Sequence, residues 1–256
     1  MGVRNIIYRI YERRLAKQIA DKPLPQHIGI MVDGNRRWAR SMGYKDPNDG
    51  HRAGAKHIEQ FLSWSDELGI SHVTVYMLST ENFSRPSKEL DPLLKIISDL
   101  AHDLSSPGLP WKIRPVGTLD VLPEGLATAL KEAKERTEGR TGGVTVNLAV
   151  GYGGHQEITD AVKSALNEYA SEGKTIEEAT ELLDVDAIGR HVYTTGQPNA
   201  DLMIRTSGEQ RLSGFMLWQS AYSEFYFCDT NWPDFRRVDF LRALRSFSNR
   251  NRRYGK

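Results

Sequence analysis

The stretch HIGIMVDGNRRWAR, residues 27–40, runs from a short apolar segment through an Asp-Gly-Asn turn into two arginines and a tryptophan. An apolar run of this length that ends in a turn is typical of a buried strand in an open α/β sheet, whose ligands bind at the carboxyl edge. Asp33 is predicted to be the first residue beyond that edge. Gly34 lets the backbone approach a ligand, and Arg36 and Arg37 suit phosphate oxygens. The segment indicates a metal-assisted diphosphate site, with an ordinary Asp-Gly turn before a solvated helix as an equal alternative.

Strands and helices alternate along the rest of the chain. Further strands are predicted over residues 72–78, 112–116, 144–150, 201–204 and 224–227. Helices are predicted over residues 50–68, 90–104, 123–139, 155–169 and 238–250. This alternation predicts a single-domain α/β fold with a mostly parallel central sheet of about six strands, flanked by helices and joined by right-handed crossovers.

Size and composition restrict the possible functions. The 256 residues, 39% of them hydrophobic, can bury one sizeable core. Lysine and arginine number 34 against 33 acidic residues, so anion binding must come from local clusters and a general nucleic-acid binder is disfavoured. The single cysteine, Cys228, excludes an internal disulfide and fits a reducing cytosol. We find no membrane-spanning stretch and no secretory signal, so a cytoplasmic location is expected.

Residues 1–24 form a distinct N-terminal segment. Ile7, Tyr11, Leu15 and Ile19 recur every four residues, and basic side chains occupy much of the remaining surface. The pattern predicts a basic amphipathic helix. Docking on its own domain or on a partner is preferred to contact with an anionic membrane surface, and both alternatives stay open.

Polar clusters follow two of the predicted strands. STENFSRP, residues 79–86, offers hydroxyls, an amide and an arginine in one loop, and helix capping by Ser84 or Ser87 leaves Asn82 and Arg85 unexplained. RTSGEQRLS, residues 205–213, carries two arginines, hydroxyls and a glycine, which together suit a diphosphate. Glu224 begins an aromatic strand and supplies a carboxylate for a metal, although such a residue alone is more often an edge-strand charge.

Other common sites are not indicated. His51 and His57 are six residues apart with no cysteine partner, which does not match zinc spacing. GYGG, residues 151–154, is followed by Gln156 where a dinucleotide loop needs its third glycine, so a tight strand-to-helix turn is favoured. The sequence contains neither a P-loop nor a G-x-S-x-G motif.

Six segments in fixed order resemble the cis-prenyltransferases, also called Z-isoprenyl diphosphate synthases. They are HIGIMVDGNRRWAR, GHRAGAK (50–56), STENFSRP, NLAVGYGG (147–154), IRTSGEQRLSGF (204–215) and LWQSAYSEFYF (217–227). The resemblance covers residues 25–255 and implies a catalytic domain over residues 25–256. It also implies that isopentenyl diphosphate is added to an allylic diphosphate, geranyl or farnesyl diphosphate, with formation of a Z double bond and release of pyrophosphate. Family members use Mg²⁺, act as homodimers and lack the DDxxD motif of trans-prenyltransferases, which this chain also lacks.

The resemblance assigns roles to individual residues. Asp33 would hold the magnesium ion, with Glu224 as a second contact, and Asn82 matches the position that assists proton loss. Because an amide is a poor base, Asn82 is expected to orient a substrate or to relay the proton through a diphosphate oxygen. The substrate contacts that the resemblance implies are Gly34, Asn35, Arg36, Arg37, Trp38, His51, Ser79, Thr80, Glu81, Phe83, Arg85, Arg205, Arg211, Leu212 and Ser213. Residues 253–255 resemble the R-x-G that crosses the family's dimer interface, with a solvated basic tail as the alternative.

Departures from the long-chain members bear on product length. Arg36 stands where many of them have a second glycine, and residues 44–49 lack an arginine that they place before GH. Met77 stands where they tend to carry a small residue, and a bulky wall should stop elongation early. The implied chain-length tunnel consists of Met77, Leu93, Ile97 and Val144. We therefore expect Z,E-farnesyl diphosphate made from geranyl diphosphate. The alternatives are a decaprenyl or undecaprenyl diphosphate synthase, a non-catalytic subunit of the same fold, and a peripheral membrane protein that acts through its N-terminal helix.

Overall fold

The computed structural model describes the backbone of residues 3–250 and the side chains from residue 7 onward. Its centre is a sheet of six short strands, most of which contain several β-branched or aromatic residues. They are β1 (His27–Met31), β2 (His72–Ser79), β3 (Lys112–Val116), β4 (Thr145–Tyr152), β5 (Leu202–Arg205) and β6 (Glu224–Phe227). The α-helices of the described chain are α1 (Val3–Ile19), α2 (Asn35–Ser41), α3 (Asn48–Glu67), α4 (Ser87–Leu104), α5 (Glu124–Thr137), α6 (Gly154–Ser171), α7 (Ile176–Leu182), α8 (Val185–His191) and α9 (Arg237–Ser248).

The strand order β3-β4-β2-β1-β5-β6 determines which loops meet. Every neighbouring pair is parallel, so the predicted α/β class is confirmed and the sheet is wholly rather than mostly parallel. Met31 at the end of β1 lies beside Tyr76 in β2 and beside Arg205 in β5. The chain after β1 proceeds toward β2 on one side and later reaches β5 on the other, which creates a crevice at the carboxyl edge. The three loops that carry the predicted polar clusters leave the sheet at this place.

The two faces of the sheet are covered by different parts of the chain. Ile28 and Ile30 of β1 belong to the main core, which α3, α4, α5 and α9 cover. Met31 belongs to a second core on the other face, together with Phe215 and Met216 from the loop after β5. This alternation along β1 is the period of two that side chains follow in a strand. The loop after β5 is thus anchored by its own apolar residues against the sheet.

Helix α1 packs against α9 of its own chain. Leu15 and Ile19 are buried, and the Arg242 guanidinium lies 5.2 Å from the centre of the Tyr11 ring. Ile7, the first residue of the predicted apolar stripe, remains outside this contact, because it is 62% exposed. Among the described helices, none is both long and apolar enough to cross a membrane.

Candidate active site

The Asp-Gly turn after β1 is held by hydrogen bonds to its main chain. The Asp33 carbonyl accepts hydrogen bonds from the Trp232 backbone N–H at 2.9 Å and the Thr206 hydroxyl at 2.8 Å. Gly34 has φ 97°, and a Cβ there would lie 2.4 Å from Asn231 Oδ1. The bare backbone of Gly34 thus allows close packing within the chain, and the same residue lines a cavity at this edge of the sheet.

Helix α2 sits tightly on α3 because α3 carries two glycines four residues apart. A Cβ at Gly50 would lie 2.0 Å from the Asn35 carbonyl oxygen, and one at Gly54 would lie 2.2 Å from Asn35 Oδ1. Residues four apart share one helix face, so both glycines meet the start of α2. This contact explains the GHRAG pattern and directs His51, between the glycines, toward the same crevice.

Arg205 joins the Asp-Gly turn to the loop after β5. Its Nε and Nη2 lie 2.8 Å and 2.7 Å from Asp33 Oδ2. Its Nη1 donates to Ser213 Oγ at 3.0 Å and to the Arg211 carbonyl. The side chain is only 7% exposed, so the fork is fixed by its partners on both sides. Asp33 and the RTSGEQRLS loop, distant in sequence, form one unit in space.

The loop after β2 begins with the 3₁₀ turn Thr80–Ser84. The Ser79 backbone N–H donates to Asn82 Oδ1 at 3.4 Å across its first residues. Neither of the capping alternatives considered from the sequence, Ser84 or Ser87, occupies the N-cap of α4, because Pro86 does. Asn82 and Ser79 both line a cavity in the crevice.

A cavity of about 510 Å³ occupies the crevice. Among the described residues, six arginines and two carboxylates line it: Arg36, Arg37, Arg40, Arg85, Arg205, Arg211, Asp33 and Glu209. The structure brings together most of the predicted site residues here. Those that line the cavity are Asp33, Gly34, Asn35, Arg36, Arg37, His51, Met77, Ser79, Asn82, Arg85, Leu93, Arg205 and Arg211.

Other predicted residues do not line the cavity. Trp38 stacks on the Tyr44 ring at 5.6 Å, and Phe83 and Leu212 pack on the two cores. Ser213 contacts Arg205 rather than the cavity, while Ile97 and Val144 are fully buried in the main core. The residues outside the lining are Trp38, Thr80, Glu81, Phe83, Ile97, Val144, Leu212, Ser213 and Glu224. The residue before Ile97 in the same helix, Ile96, does line the cavity.

Glu224 does not fit the expected shared metal contact with Asp33 within this chain. It begins β6 and pairs with Leu202, whereas Arg205, at the other end of β5, is the residue that contacts Asp33. Three residues of strand separate the two levels by roughly 10 Å. The Glu224 carboxylate instead forms an ion pair with Arg250. Residues 253–255, the predicted R-x-G, lie outside the described residues.

Several lining residues were not predicted from the sequence. Tyr76 stacks on Phe215 with ring centres 4.5 Å apart, and burial raises the pKa of its hydroxyl to about 12. The lining residues that the sequence does not predict are Val32, Arg40, Gly54, Ala55, Ile58, Tyr76, Leu78, Ile96, Ser207 and Glu209. Glu209 sits between the two predicted arginines of its loop, which is the signal that could have identified it.

Six arginines against two carboxylates give the described lining of the cavity an excess of positive charge, which favours an anionic ligand. Burial lowers the pKa of His51 to about 4, with a smaller contribution from the charges of Arg85 and Arg36. This side chain is therefore neutral at physiological pH. Its Nε2, together with Arg36 Nε and Asn35 Oδ1, is buried without a hydrogen-bond partner. Buried polar atoms without partners are uncommon in folded proteins, and a water molecule or a ligand in the cavity would supply a partner for His51 Nε2 and Arg36 Nε.

The family model of the undecaprenyl diphosphate synthase family, a prenyltransferase family, matches residues 30–255. The chain belongs to this family of cis-prenyltransferases. The match spans the Asp-Gly turn, the cavity and the loop after β5, so it covers every element of the site described above. The resemblance inferred from the six motifs is therefore confirmed.

Relatives and a solved structure agree with this membership. The cis-prenyltransferase described here is 55% identical to a protein named (2Z,6E)-farnesyl diphosphate synthase from Thermobifida fusca, over the whole length of both chains. It is 51% identical to one named short-chain Z-isoprenyl diphosphate synthase from Mycobacterium leprae, over 98% of this chain and 96% of the relative. The fold is similar to that of lavandulyl diphosphate synthase from Lavandula x intermedia, solved with dimethylallyl diphosphate. That similarity has a TM-score of 0.83, 33% identity, and coverage of 91% of this chain and 99% of the other.

Proposed function

We propose that this cis-prenyltransferase condenses isopentenyl diphosphate with a short allylic diphosphate and makes Z,E-farnesyl diphosphate from geranyl diphosphate. The observation that carries the proposal is the Arg205–Asp33 ion pair inside a cavity that six arginines line among the described residues. This pair places two groups of cations side by side. One group comes from α2 and the loop after β2, and the other comes from the loop after β5.

Two neighbouring groups of cations suit a reaction between two diphosphates. Ionisation of an allylic diphosphate spreads positive charge over carbon while the departing pyrophosphate gains negative charge. Arg36, Arg37 and Arg85 would bind that growing charge, and Arg205 and Arg211 would hold the second diphosphate with its double bond toward the reacting carbon. The isopentenyl double bond would then form a C–C bond to the allylic carbon as the C–O bond to pyrophosphate breaks, and a diphosphate oxygen would take up the proton that is lost. Asn82, whose Oδ1 accepts a hydrogen bond from the Ser79 backbone N–H, would orient the substrate for this step.

The donor set also fits Mg²⁺. Proteins usually bind this ion through one or two carboxylates plus substrate phosphates, rather than through a full protein cage. Asp33 supplies one carboxylate at the cavity wall, and the described residues contain no cluster of three or more His, Cys, Asp and Glu side chains able to hold a metal. Arg205 contacts only Oδ2 of Asp33, so Oδ1 can bind a cation without loss of the ion pair. When bound, Mg²⁺ would stabilise the charge of the departing diphosphate.

Product length is argued from the apolar end of the cavity. Met77, Leu93 and Ile96 line it, and the last two are almost wholly buried in close-packed surroundings. The volume of about 510 Å³ lies within the range of about 300–1,000 Å³ for ordinary small-molecule sites. That space must also receive two diphosphates. It therefore supports a short product over a chain of ten or eleven isoprene units.

Incubation with labelled isopentenyl diphosphate and geranyl diphosphate, followed by dephosphorylation and sizing, tests the proposal. We expect a single C15 product. A ladder that extends to C50 or C55 would contradict the short-chain assignment. Turnover that survives Asp33→Ala would contradict the mechanism, and absence of turnover in the parent enzyme would favour a non-catalytic subunit of this fold.

A homodimer is part of the proposal. β6 is an edge strand, and the aromatic residues on and before it are unusually accessible: Tyr222 is 81% exposed and Phe227 is 39% exposed. Exposed aromatic edges are regular sites of association between chains. Sedimentation equilibrium should give twice the chain mass, and Phe227→Lys should shift the equilibrium toward the monomer.

Contact with a membrane surface is proposed for the free side of α1. Ile7 and Ile10 are 62% and 63% exposed, and the exposed Arg9, Arg13 and Arg14 flank them. Apolar and basic residues on one short helix suit an anionic lipid surface. Binding to vesicles that contain anionic lipid should weaken in Ile7→Ser/Ile10→Ser. Equal binding of both proteins would contradict this contact.

A further inference from the structure

Glu209 is an unexpected residue for a site that must receive diphosphates. Its carboxylate lines the same cavity as the arginines, and its side chain is 29% exposed. Oε1 lies 3.3 Å from Arg37 Nη2, and Oε2 forms an ion pair with Arg211. These arginines come from different halves of the site, α2 and the loop after β5. Glu209 thus bridges them, with one oxygen for each, as a phosphate group would.

The position of this carboxylate is set by the backbone. The two preceding residues, Ser207 and Gly208, have φ values of 70° and 76°, in the left-handed region. Their N–H groups donate to the Thr230 carbonyl at 2.8 Å and to the Cys228 carbonyl at 2.9 Å. A turn pinned in this way aims the next side chain back into the cavity. The negative charge is therefore built into the site.

Glu209 is not needed to orient Arg37. Arg37 Nη1 donates to the Ser207 carbonyl at 2.8 Å, which is a shorter contact than the 3.3 Å to Glu209. Removal of the carboxylate charge would leave this hydrogen bond in place. What Glu209 contributes to Arg37 is mainly neutralisation of its charge, and this is the property that an incoming diphosphate would also supply.

Glu89 provides an instructive contrast. It also bridges two arginines, since its Oε1 lies 2.7 Å from Arg36 and 3.3 Å from Arg85. Glu89 is not part of the cavity lining, however, so it supports its arginines from behind. A diphosphate can contact those arginines while Glu89 stays in place. A diphosphate can bind between Arg37 and Arg211 only if the Glu209 carboxylate moves away from them.

We propose that Glu209 is an internal competitor for diphosphate. It occupies Arg37 and Arg211 in the empty site, yields them when a diphosphate binds, and takes them back when pyrophosphate leaves. Its function would be to keep the arginine-rich site from retaining the pyrophosphate product. The inference rests on the proposed diphosphate site, and it adds a residue that limits affinity so that product can be released.

Calorimetric titration with inorganic pyrophosphate, at fixed magnesium concentration, tests this inference. Glu209→Gln removes the charge with little change in size, and we expect its affinity for pyrophosphate to rise about two- to fivefold, the scale of exposed ion pairs. The inhibition constant for pyrophosphate and the KM for isopentenyl diphosphate should both fall, as expected for tighter binding. A purely structural role predicts the opposite direction for all three, because a loosened loop binds less well.

Two further variants complete the design. Glu209→Asp keeps the charge and should not bind pyrophosphate more tightly than the parent enzyme, whereas tightening in this variant would assign the effect to loop changes and overturn the inference. Glu89→Gln, the matched control, should bind equally or more weakly, and tightening equal to that of Glu209→Gln would also overturn it. So would unchanged or weaker binding by Glu209→Gln. Failure of the parent enzyme to bind pyrophosphate at all would instead contradict the proposed diphosphate site.

Discussion

Replacement of Gly34 by alanine should expose how the chain holds Asp33 at the edge of the sheet. Two separate effects act at this position. The φ of 97° lies in a region that L side chains rarely adopt, and an added Cβ would lie 2.8 Å from the Ser207 Cβ and 3.0 Å from the Asn231 Cα. Asn231 Oδ1 can rotate away, but these two atoms cannot move without a shift of the backbone. Gly34→Ala should therefore combine backbone strain with overpacking.

Other glycines of the chain separate the two effects. Gly43 has φ 80° with nothing within 4 Å of an added Cβ, so alanine there costs only strain, about 1–2 kcal/mol. Gly50 has no positive φ but an added Cβ would lie 2.0 Å from the Asn35 carbonyl oxygen, so alanine costs overpacking, about 1–3 kcal/mol or more. Gly125, in the first turn of α5, has neither, and alanine should stabilise by about 0.5–1 kcal/mol. Gly34→Ala should then lose about 2–5 kcal/mol.

Thermal unfolding of the four variants measures these costs. At about 2–4 °C per kcal/mol for a chain of this size, Gly34→Ala should lower Tm by roughly 4–20 °C and Gly43→Ala by roughly 2–8 °C. Activity adds a second readout, because a 1 Å displacement of Asp33 can cost about a hundredfold in turnover while a change at Gly43 should not. A Gly34→Ala enzyme that is no less stable than Gly43→Ala and retains full turnover would refute this account of the turn.

Three further variants test other parts of the structure. Arg205→Lys replaces a guanidinium that contacts Asp33 through two nitrogens by a single ammonium. A loss of about 3 kcal/mol of transition-state stabilisation should lower kcat/KM for isopentenyl diphosphate about 100-fold. A fall of less than tenfold would contradict the role of this ion pair. Met77→Ala enlarges the apolar end of the cavity and should shift the sized product beyond C15, whereas Met77→Leu should not; an unchanged product from both variants would rule out this wall as the limit. Burial lowers the pKa of His27 from 6.5 to about 4. Between these pH values the unfolded chain binds a proton more readily than the folded chain does. The free energy of unfolding should therefore fall by up to about 3 kcal/mol as pH drops from 6.5 to 4. In His27→Gln this part of the pH dependence, measured by urea unfolding, should disappear, and an identical slope in both proteins would argue against it.

Element type could be predicted from local pattern wherever that pattern was strong. The strands over residues 112–116 and 224–227 match β3 and β6 at both ends, because turn residues bracket short runs of β-forming residues. Helices α7 and α8 were missed, since each is short and offers only a few apolar residues for a periodic signal. Their N-terminal caps, Thr175 with Glu178 and Asp184, were the available clue.

The candidate site was predictable to the extent that it depends on loops after strand ends. Asp33, Asn82 and Arg205 meet at one edge because all strands of a parallel sheet end there. Side-chain direction within an element was less accessible. The sequence analysis assigns Ile97 to the chain-length tunnel, whereas Ile96 lines the cavity. The two side chains differ in direction because neighbouring residues on a helix point about 100° apart.

The sequence by itself determined the alternation of strands and helices, the family motifs and the polar residues that follow each strand, because these depend on neighbours along the chain. The tertiary structure alone decided which of those residues meet. Strand order placed β5 beside β1 and so joined Arg205 to Asp33, while register placed Glu224 at the opposite edge. The tertiary structure also placed Glu209 between Arg37 of α2 and Arg211 of the loop after β5. Such contacts depend on the packing of distant segments, and no spacing along the chain encodes them.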